Sequence, residues 1–397
     1  MARSTVIAVL MPGLIAGSGG IRTILSQVRA LVADGYEVHV HVEPFGLRGG
    51  RRSSDSLQAR ADRLFGETGA TYHTGLTPDP SCDLVIATKW STAARVAALP
   101  PRTAKAYLIQ DFEPAFYPVG DDYLRAEASY RLGLVPIVLG RWLARALHER
   151  YGTAAHRMDF GVDLSTYRPP VSNWQKPTVC FIYQPDKPRR CAGLGADVLA
   201  RVARVRPDVR IATFGYAGRP DWPFPVDHRG VLSPAGCAEL YRRSTVGLCL
   251  SPTNPSRIPF EMMASGLPLV ELHGANTVHD LPSAGTVLAS PHPAGLADAV
   301  LALLEDGDWR RRLSEGGRTF AAGRPAEIES RGFLAAVGAI LDGRPPPGDA
   351  SGPCYDRPAF RSGAGGGDQP QPSDPPTPAQ RVAGRLRRAG RVLMRGG

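Results

Sequence analysis

The sequence predicts an α/β protein of two doubly wound, Rossmann-like domains that face each other across a cleft. Three observations lead there. Apolar runs of strand length alternate with amphipathic helical stretches through most of the 397 residues. The alternation pauses once, at the polar, proline-rich stretch 159–177, and then restarts. Several of the strands end in loops rich in glycine, proline or arginine, the pattern of parallel sheets that bind ligands at their carboxyl edges.

Taken in order, TVIAVLMP (5–12) reads as a buried strand, and the glycine-rich loop GLIAGSGG follows it. A helix from about Ile21 to Ala33 carries Ile24, Leu25, Val28, Leu31 and Val32 on one face and stops at Gly35. YEVHVHVEP returns as a strand, and DLVIATK (83–89), KAYLIQD (105–111) and VPIVLG (135–140) add more, with helices such as RWLARALHERYG between them. This gives a first domain over 1–160 and a hinge over 161–177. In the second half TVCFIYQP (178–185), VRIATFGYA (209–217), VGLCLSP (246–252) and LPLVELHG (267–274) are strands of a domain spanning 178–325. Helices are expected at 292–305, 308–320 and about 326–341, the last one free to cross back to the first domain. Residues 342–378 are dominated by proline, glycine and serine and read as a disordered linker.

The tail, 379–397, contains Arg381, Arg385, Arg387, Arg388, Arg391 and Arg395 and no acid, which supplies most of the chain's net charge of +10. The folded body is thus only mildly basic and lacks the cationic, aromatic-laced patch of a nucleic-acid binder. With Val382, Leu386, Ala389 and Leu393 on one side, the tail fits a basic amphipathic helix for peripheral contact with an anionic membrane; Gly384 and Gly390 fit a solvated tail equally well. The six cysteines are scattered without metal-ligand spacing, which points to reduced thiols in a cytoplasmic setting and to no bound metal or other cofactor. The N-terminus has the outline of a leader, but its apolar stretch is better explained as the first strand. No run is long enough to span a membrane.

The chemistry concentrates in loops at the strand ends. FIYQPDKPRR (181–190) ends a strand and opens a helix, gathering Lys187, Arg189 and Arg190 beside Tyr183 where helix amides favour anions. SPTNPSRIPFEMMASG brings Asn254, Ser256, Arg257, Ile258 and Pro259 to the same edge, followed by a lone acid, Glu261, in an apolar run. That carboxylate can accept hydrogen bonds from ribose hydroxyls, or it can complement the helix dipole; the residues alone support both. Gly230, Val231 and Leu232 lie where base contacts are expected. In the first domain Gly19 and Gly20 let backbone approach a ligand closely. QDFEPAFYPVG places Gln110, Asp111, Phe112 and Glu113 just past a strand end, a mixture suited to polyhydroxylated ligands. The glycine loop lacks the spacing of a dinucleotide fingerprint, so an NAD oxidoreductase is disfavoured.

These motifs, with the hinge FGVDLSTYRP, resemble the family 4 retaining glycosyltransferases of GT-B fold. IQDFEPAFYPVG, FIYQPDKPRR and SPTNPSRIPFEMMASG are most similar to the WsaF-like rhamnosyltransferases, over roughly residues 5–341. The resemblance implies a nucleotide-diphosphate sugar donor, such as dTDP-L-rhamnose, and a glycan or lipid-linked glycan acceptor. It also implies metal-independent transfer with retention. Glu261 matches the second acid of the family's glutamate pair, which binds the donor ribose; Thr253 stands where the first is expected. Arg189 matches the second cation of the diphosphate pair, whereas Gln184 replaces the first. Gly19 and Gly20 match the acceptor-domain glycine loop, and Gln110 stands where many relatives have histidine. Asp111 and Glu113 are then expected to orient acceptor or donor hydroxyls, with Arg189 as the catalytic cation. A catalytically silent relative that binds nucleotide sugar or glycan, and a sugar-nucleotide 2-epimerase on the same fold, are the alternatives.

Overall fold

In the computed structural model, which describes residues 4–44, 56–169, 176–348 and 352–361, the apolar runs pair as parallel strands in two separate sheets. The first lobe contains β1 (Val6–Met11), α1 (Gly19–Ala33), β2 (Glu37–Val42), α2 (Leu57–Phe65), β3 (Thr71–Thr74) and β4 (Leu84–Ala87). It continues with α3 (Trp90–Ala97), β5 (Ala104–Ile109), a 3-10 turn at Glu113–Phe116, α4 (Asp121–Ser129), β6 (Val135–Leu139), α5 (Arg141–Tyr151) and β7 (His156–Met158). The strand order is β3-β2-β1-β4-β5-β6-β7.

The second lobe holds β8 (Thr178–Ile182), α6 (Ala192–Val205), β9 (Arg210–Phe214), β10 (Asp227–His228), α7 (Pro234–Arg242) and β11 (Val246–Leu248). Then come α8 (Ile258–Ala264), β12 (Leu269–Leu272), α9 (Ala275–Asp280), β13 (Thr286–Ala289), α10 (Pro293–Glu305) and α11 (Gly307–Ala322). Its order is β10-β9-β8-β11-β12-β13. Each sheet winds outward in both directions from its first strand. The switch points therefore lie between β1 and β4 and between β8 and β11, where the connecting loops diverge and leave a crevice.

Burial explains the continuous apolar strands. β1, β4 and β8 are covered on both faces, so Ile7, Ala8, Leu10, Val85, Ile86, Val179 and Phe181 are all sealed from solvent. The strands that the sequence left unassigned lie at the sheet edges; β13 is short but buried, and the other three are polar or very short. β3 is an edge strand reading TYHT with no fully buried side chain, β10 has two residues, and β7 three. Their pairing comes from neighbouring backbone rather than from their own hydrophobicity.

The last helix, α12 (Glu327–Leu341), follows the second lobe in sequence but packs on α1, β5, β6 and β7 of the first. The hinge residues accompany it, with the Val162 amide donating to the Arg324 carbonyl at 2.9 Å. The expected disorder over 342–378 does not extend to 352–361. There the Tyr355 amide donates to the Val278 carbonyl (2.9 Å), the Leu288 amide donates to the Tyr355 hydroxyl (3.1 Å), and Phe360 bridges to Ala289 beside β13. Tyr355 and Phe360 supply apolar area that the composition of the stretch conceals. Residues 349–351 and 362–378 of that linker and the basic tail lie outside the described residues, as do hinge residues 170–175.

An ion pair holds α12 to the second lobe. Glu329, only 3% exposed, accepts from both Nη atoms of Arg257 and, at 2.9 Å, from the Gly161 amide; Arg257 Nη2 also donates to Thr23 Oγ1 of α1 at 2.9 Å. Removing one member of a buried pair strands the other charge. Glu329→Ala is therefore expected to lower the free energy of unfolding by about 3 kcal/mol in urea titration. A loss under about 1 kcal/mol would mean that solvent screens the pair.

Candidate functional site

The loops singled out in the sequence converge on the two switch points. From the first lobe, Ser18 caps α1 by accepting from the Ile21 amide, so the glycine loop is fixed at the carboxyl end of β1. A side chain at Gly19 would meet nothing within 4 Å, whereas one at Gly20 would reach the Gln110 amide group at 3.8 Å. Gln110 Nε2 donates to the Gly20 carbonyl at 3.2 Å and ties the end of β5 to this loop. Gly19, Gly20 and Gln110 thus form one wall.

The turn between β8 and α6 forms the opposite wall. Lys187, Arg189 and Arg190 surround a 3-10 turn at Pro188–Arg190, and only Asp186 in the turn is acidic. Burial lowers the Lys187 pKa, with repulsion from Arg189 and Arg190 helping and Asp186 opposing. Burial likewise lowers that of Arg189, followed by repulsion from Arg190. The Arg189 guanidinium lies over the Phe116 ring at 4.2 Å, with Nε 4.0 Å from Asp111 Oδ2. Arg190 Nη1 donates to Ser251 Oγ at 3.3 Å. Tyr183 stands behind this turn against Trp222, ring centroids 4.9 Å apart.

The loop between β11 and α8 lies between these walls and is bonded to the first lobe. Asp111 Oδ1 accepts from the Asn254 amide (2.9 Å) and the Phe112 amide (2.8 Å), and Oδ2 accepts from Thr253 Oγ1 (3.1 Å). Asn254 Nδ2 donates to the carbonyls of Gln110 (2.7 Å) and Leu139 (2.8 Å). Burial raises the Asp111 pKa, and these amide bonds and Arg189 pull it back. Ser256 sits at φ +68°, an unfavourable conformation for a residue with a side chain, and its buried Oγ finds no protein partner. Ile258 and Pro259 open α8, and Glu261 projects from its first turn toward Tyr167, Tyr241, Arg257 and Arg22. Burial pushes the Glu261 carboxyl up to about 7.

Other expected site residues lie elsewhere. Phe112 is 5% exposed, packed against Tyr130, Trp142 and Tyr151 in the first lobe's core. Glu113 points inward as well: it accepts from the Tyr107 hydroxyl (2.6 Å) and the Trp90 amide (2.9 Å), capping α3. Its pKa is raised to about 7 by burial. Neither faces the crevice, because the chain turns into the 3-10 helix immediately after Asp111. Arg257 is engaged by Glu329 rather than open to an anion. Val231 is 68% exposed and Leu232 half-buried, in the turn whose Gly230 carbonyl accepts from the Gly215 amide at 2.8 Å.

Sequence reasoning missed three polar residues, two that organise the loop and one that ties the lobes together beside it. Glu271 of β12 accepts from the Ser251 amide at 2.8 Å. Asn276 Nδ2 donates to the Ser251 carbonyl at 2.6 Å and to that of Thr253. Asp280 accepts from the Arg141 amide (2.7 Å) and the Trp142 amide (3.1 Å), so a second-lobe carboxylate caps α5 of the first. Gly140 allows this approach. It sits at φ +94°, and a Cβ there would lie 3.0 Å from Asp280 Oδ2 and 2.9 Å from the Phe160 ring. The isolated acid in LPLVELHG was a signal available in the sequence; the roles of Asn276 and Asp280 were not. A separate recess of about 590 Å³ lies at the opposite edge of the first sheet, lined by Thr5, Cys82, Asp83, Arg102 and Leu341, and shares no residue with the site.

This arrangement of two parallel-sheet lobes also occurs in solved structures. Over 85% of this chain, the fold matches all of Anabaena HepE in complex with UDP and glucose, with a TM-score of 0.64 and 14% identity. It matches sucrose-phosphate synthase from Thermosynechococcus elongatus at 0.63 and 14% identity, again over 85% of this chain and 100% of that one. The fold is GT-B. Residues 177–301 match the family described as the C-terminal domain of WsaF, and the cation turn and the Asn254–Glu261 loop both lie within the matched residues. The O-antigen biosynthesis protein RfbC of Myxococcus xanthus is 30% identical over 250 residues, 59% of this chain and 19% of that protein. The chain therefore spans about a fifth of this relative's length. Among the described residues, no helix of this GT-B chain is long and apolar enough to cross a membrane, and no cluster of three or more His, Cys, Asp or Glu is arranged to hold a metal ion.

The buried acids set a pH dependence. Burial raises Glu113 and Glu261 to about 7, Glu271 to about 8 and Asp280 to about 6. Such a group binds its proton more tightly when folded, so stability is lost as pH rises from the unfolded pKa through the folded one. His41, lowered by burial to about 4, acts oppositely, and its effect is complete near its ordinary 6.5. Urea unfolding is expected to give a falling stability between about pH 6.5 and 8.5. A rise across that window would contradict the burial of these acids.

Proposed function

We propose that the chain is a glycosyltransferase. It would transfer a sugar from a nucleotide-diphosphate donor to a hydroxyl of a glycan or lipid-linked glycan during surface-polysaccharide assembly. The observation that carries this reading is the group of Lys187, Arg189 and Arg190 at the second lobe's switch point, facing Asp111 of the other lobe. Desolvated cations beside a helix start favour a diphosphate, whose charge they neutralise. The description of RfbC as an O-antigen biosynthesis protein and the UDP and glucose held by HepE are consistent with it.

In the proposed reaction the bond between the anomeric carbon and the donor phosphate oxygen breaks, and the acceptor oxygen bonds to that carbon on the same face. The acceptor proton passes to the departing phosphate oxygen, so configuration is retained without a protein nucleophile. Arg189 and its neighbours stabilise the departing diphosphate and take the part a metal would otherwise play. Glu261 accepts from the donor ribose hydroxyls. Asp111, held beside Arg189, positions the sugar end of the donor through the Thr253–Asn254 loop. Glu113 acts only from behind, by fixing α3. The proposed donor is dTDP-L-rhamnose, on the resemblance to the WsaF-like group. The basic tail would bring the enzyme to the membrane surface that presents a lipid-linked acceptor.

One observation favours a second reading, a nucleotide-sugar binder without turnover. The positions expected to carry an acid and a cation hold Thr253, bonded to Asp111, and Gln184, bonded to the Gly215 carbonyl at 3.3 Å. Purified protein incubated with labelled dTDP-, UDP- and GDP-sugars and candidate glycans separates the two: binding with transfer supports the transferase, and binding without it supports the binder. Conversion of the donor with no acceptor present would indicate an epimerase. Within the transferase reading, Arg189→Met is expected to lower kcat about 100-fold. Glu261→Ala is expected to weaken nucleotide binding in calorimetry by about tenfold or more; unchanged affinity would remove Glu261 from the ribose site.

A further inference from the structure

Glu271 stands out among the charged groups of the second lobe. It occupies β12, next to β11, and is 0% exposed. In register it faces Leu288 of β13, which offers no charge. One carboxylate oxygen, Oε1, accepts from the Ser251 amide at 2.8 Å and the Leu272 amide at 2.9 Å. The other, Oε2, is buried without a nitrogen or oxygen donor, and the carboxyl's remaining contact is the Cys249 thiol, a weak donor. The ionisable groups whose fields reach it are Arg190, on the turn before α6, Cys191, at the start of α6, and Cys249, just past β11. Arg190 in turn bonds Ser251 Oγ, so Glu271 and Arg190 grip the same residue from its backbone and its side chain.

A buried carboxylate whose second oxygen has at best a thiol for a donor is costly, more so as an anion. The nearest compensating charge is Arg190, the cation that the proposed function assigns to the donor diphosphate. A diphosphate arriving at Arg190 brings negative charge toward Glu271 and competes for the same guanidinium. Glu271 responds by binding a proton, since a neutral carboxyl still accepts both amide bonds through Oε1 while protonation removes the buried charge on Oε2.

We propose that Glu271 is a positioning residue of the donor site: it sets the Ser251–Asn254 loop and, through Ser251, Arg190, and it takes up a proton when a nucleoside diphosphate binds. The inference rests on the proposed function, because it needs the diphosphate at Arg190. Its free carboxyl, raised to about 8 by burial, makes that uptake measurable near neutrality. The sign follows. Bound anion raises the Glu271 pKa further, so affinity is highest below about 8 and declines as pH rises through that value.

The test is isothermal calorimetry of UDP, dTDP and GDP in parallel, from pH 6.5 to 9.5, in two buffers of different ionisation enthalpy. The wild-type chain is expected to take up protons on binding and to lose about three- to tenfold in affinity across the range, a pKa change of up to one unit. Glu271→Gln preserves the shape and the amide bonds. It should bind with a nearly flat pH profile and no uptake, and Glu271→Ala should weaken binding at every pH by releasing the loop. Lys187, whose pKa is also lowered, would give a slope of the same sign in the wild type. A slope and uptake that persist in Glu271→Gln therefore overturn the proposal and point to Lys187. If none of the three nucleotides binds the wild-type chain at any pH, the reading of the site fails and this inference with it.

Discussion

The Ser251–Arg257 loop must lie in a crevice between two sheets, and the structure depends on how its polar groups are satisfied there. A loop in such a place cannot rely on water for every amide and side chain. Its partners come from both lobes. Asn254 donates to two carbonyls of the first lobe, Asp111 accepts from the loop's backbone and from Thr253, and Asn276 and Glu271 hold it from behind. The loop is thus at once part of the second lobe's switch point and the bolt between the lobes. Asp280 on the α5 amides and Arg257 on Glu329 extend the same logic to the edges of the contact. Charged groups that would be isolated within one lobe find their partners in the other.

This arrangement links recognition to mechanics. Any anion at Arg189 or Arg190 alters the field at Asp111 and Glu271, and both acids hold the loop in place. The strained Ser256 lies in the middle of that loop, where a change in the flanking bonds has most leverage. The acids with raised pKa values are gathered at the contacts between elements rather than in the hydrophobic cores, because those contacts exclude water yet require polar complementarity. Glu113 shows the same principle inside the first lobe, where it caps α3 and anchors Tyr107.

Much of this was legible in the chain itself. Strands such as β1, β4, β8 and β11 are continuous apolar runs because both faces of their sheets are covered, and periodicity locates where each starts within a residue, though it runs β8 and β11 three and four residues too far. The glycine, PDKPRR and PSRIPFE loops could be placed at strand ends for the same reason. Elements whose stability is borrowed were not legible: β3, β7 and β10 are short and polar, and the ordered segment around Tyr355 is embedded in a composition typical of disorder.

By itself the sequence determined the two-sheet plan, the restart after the hinge and the concentration of cations at 187–190, since hydrophobic period and local charge are properties of neighbouring residues. Only the tertiary structure decided which polar groups are available. Asp111, Glu113 and Arg257 look alike as charged residues beside strand ends. Yet Asp111 binds a loop 142 or 143 residues away, Glu113 turns into its own lobe, and Arg257 meets a glutamate 72 residues further on. Partners so distant in the chain are brought together by folding alone, and a side chain's chemistry is set by its partners as much as by its type.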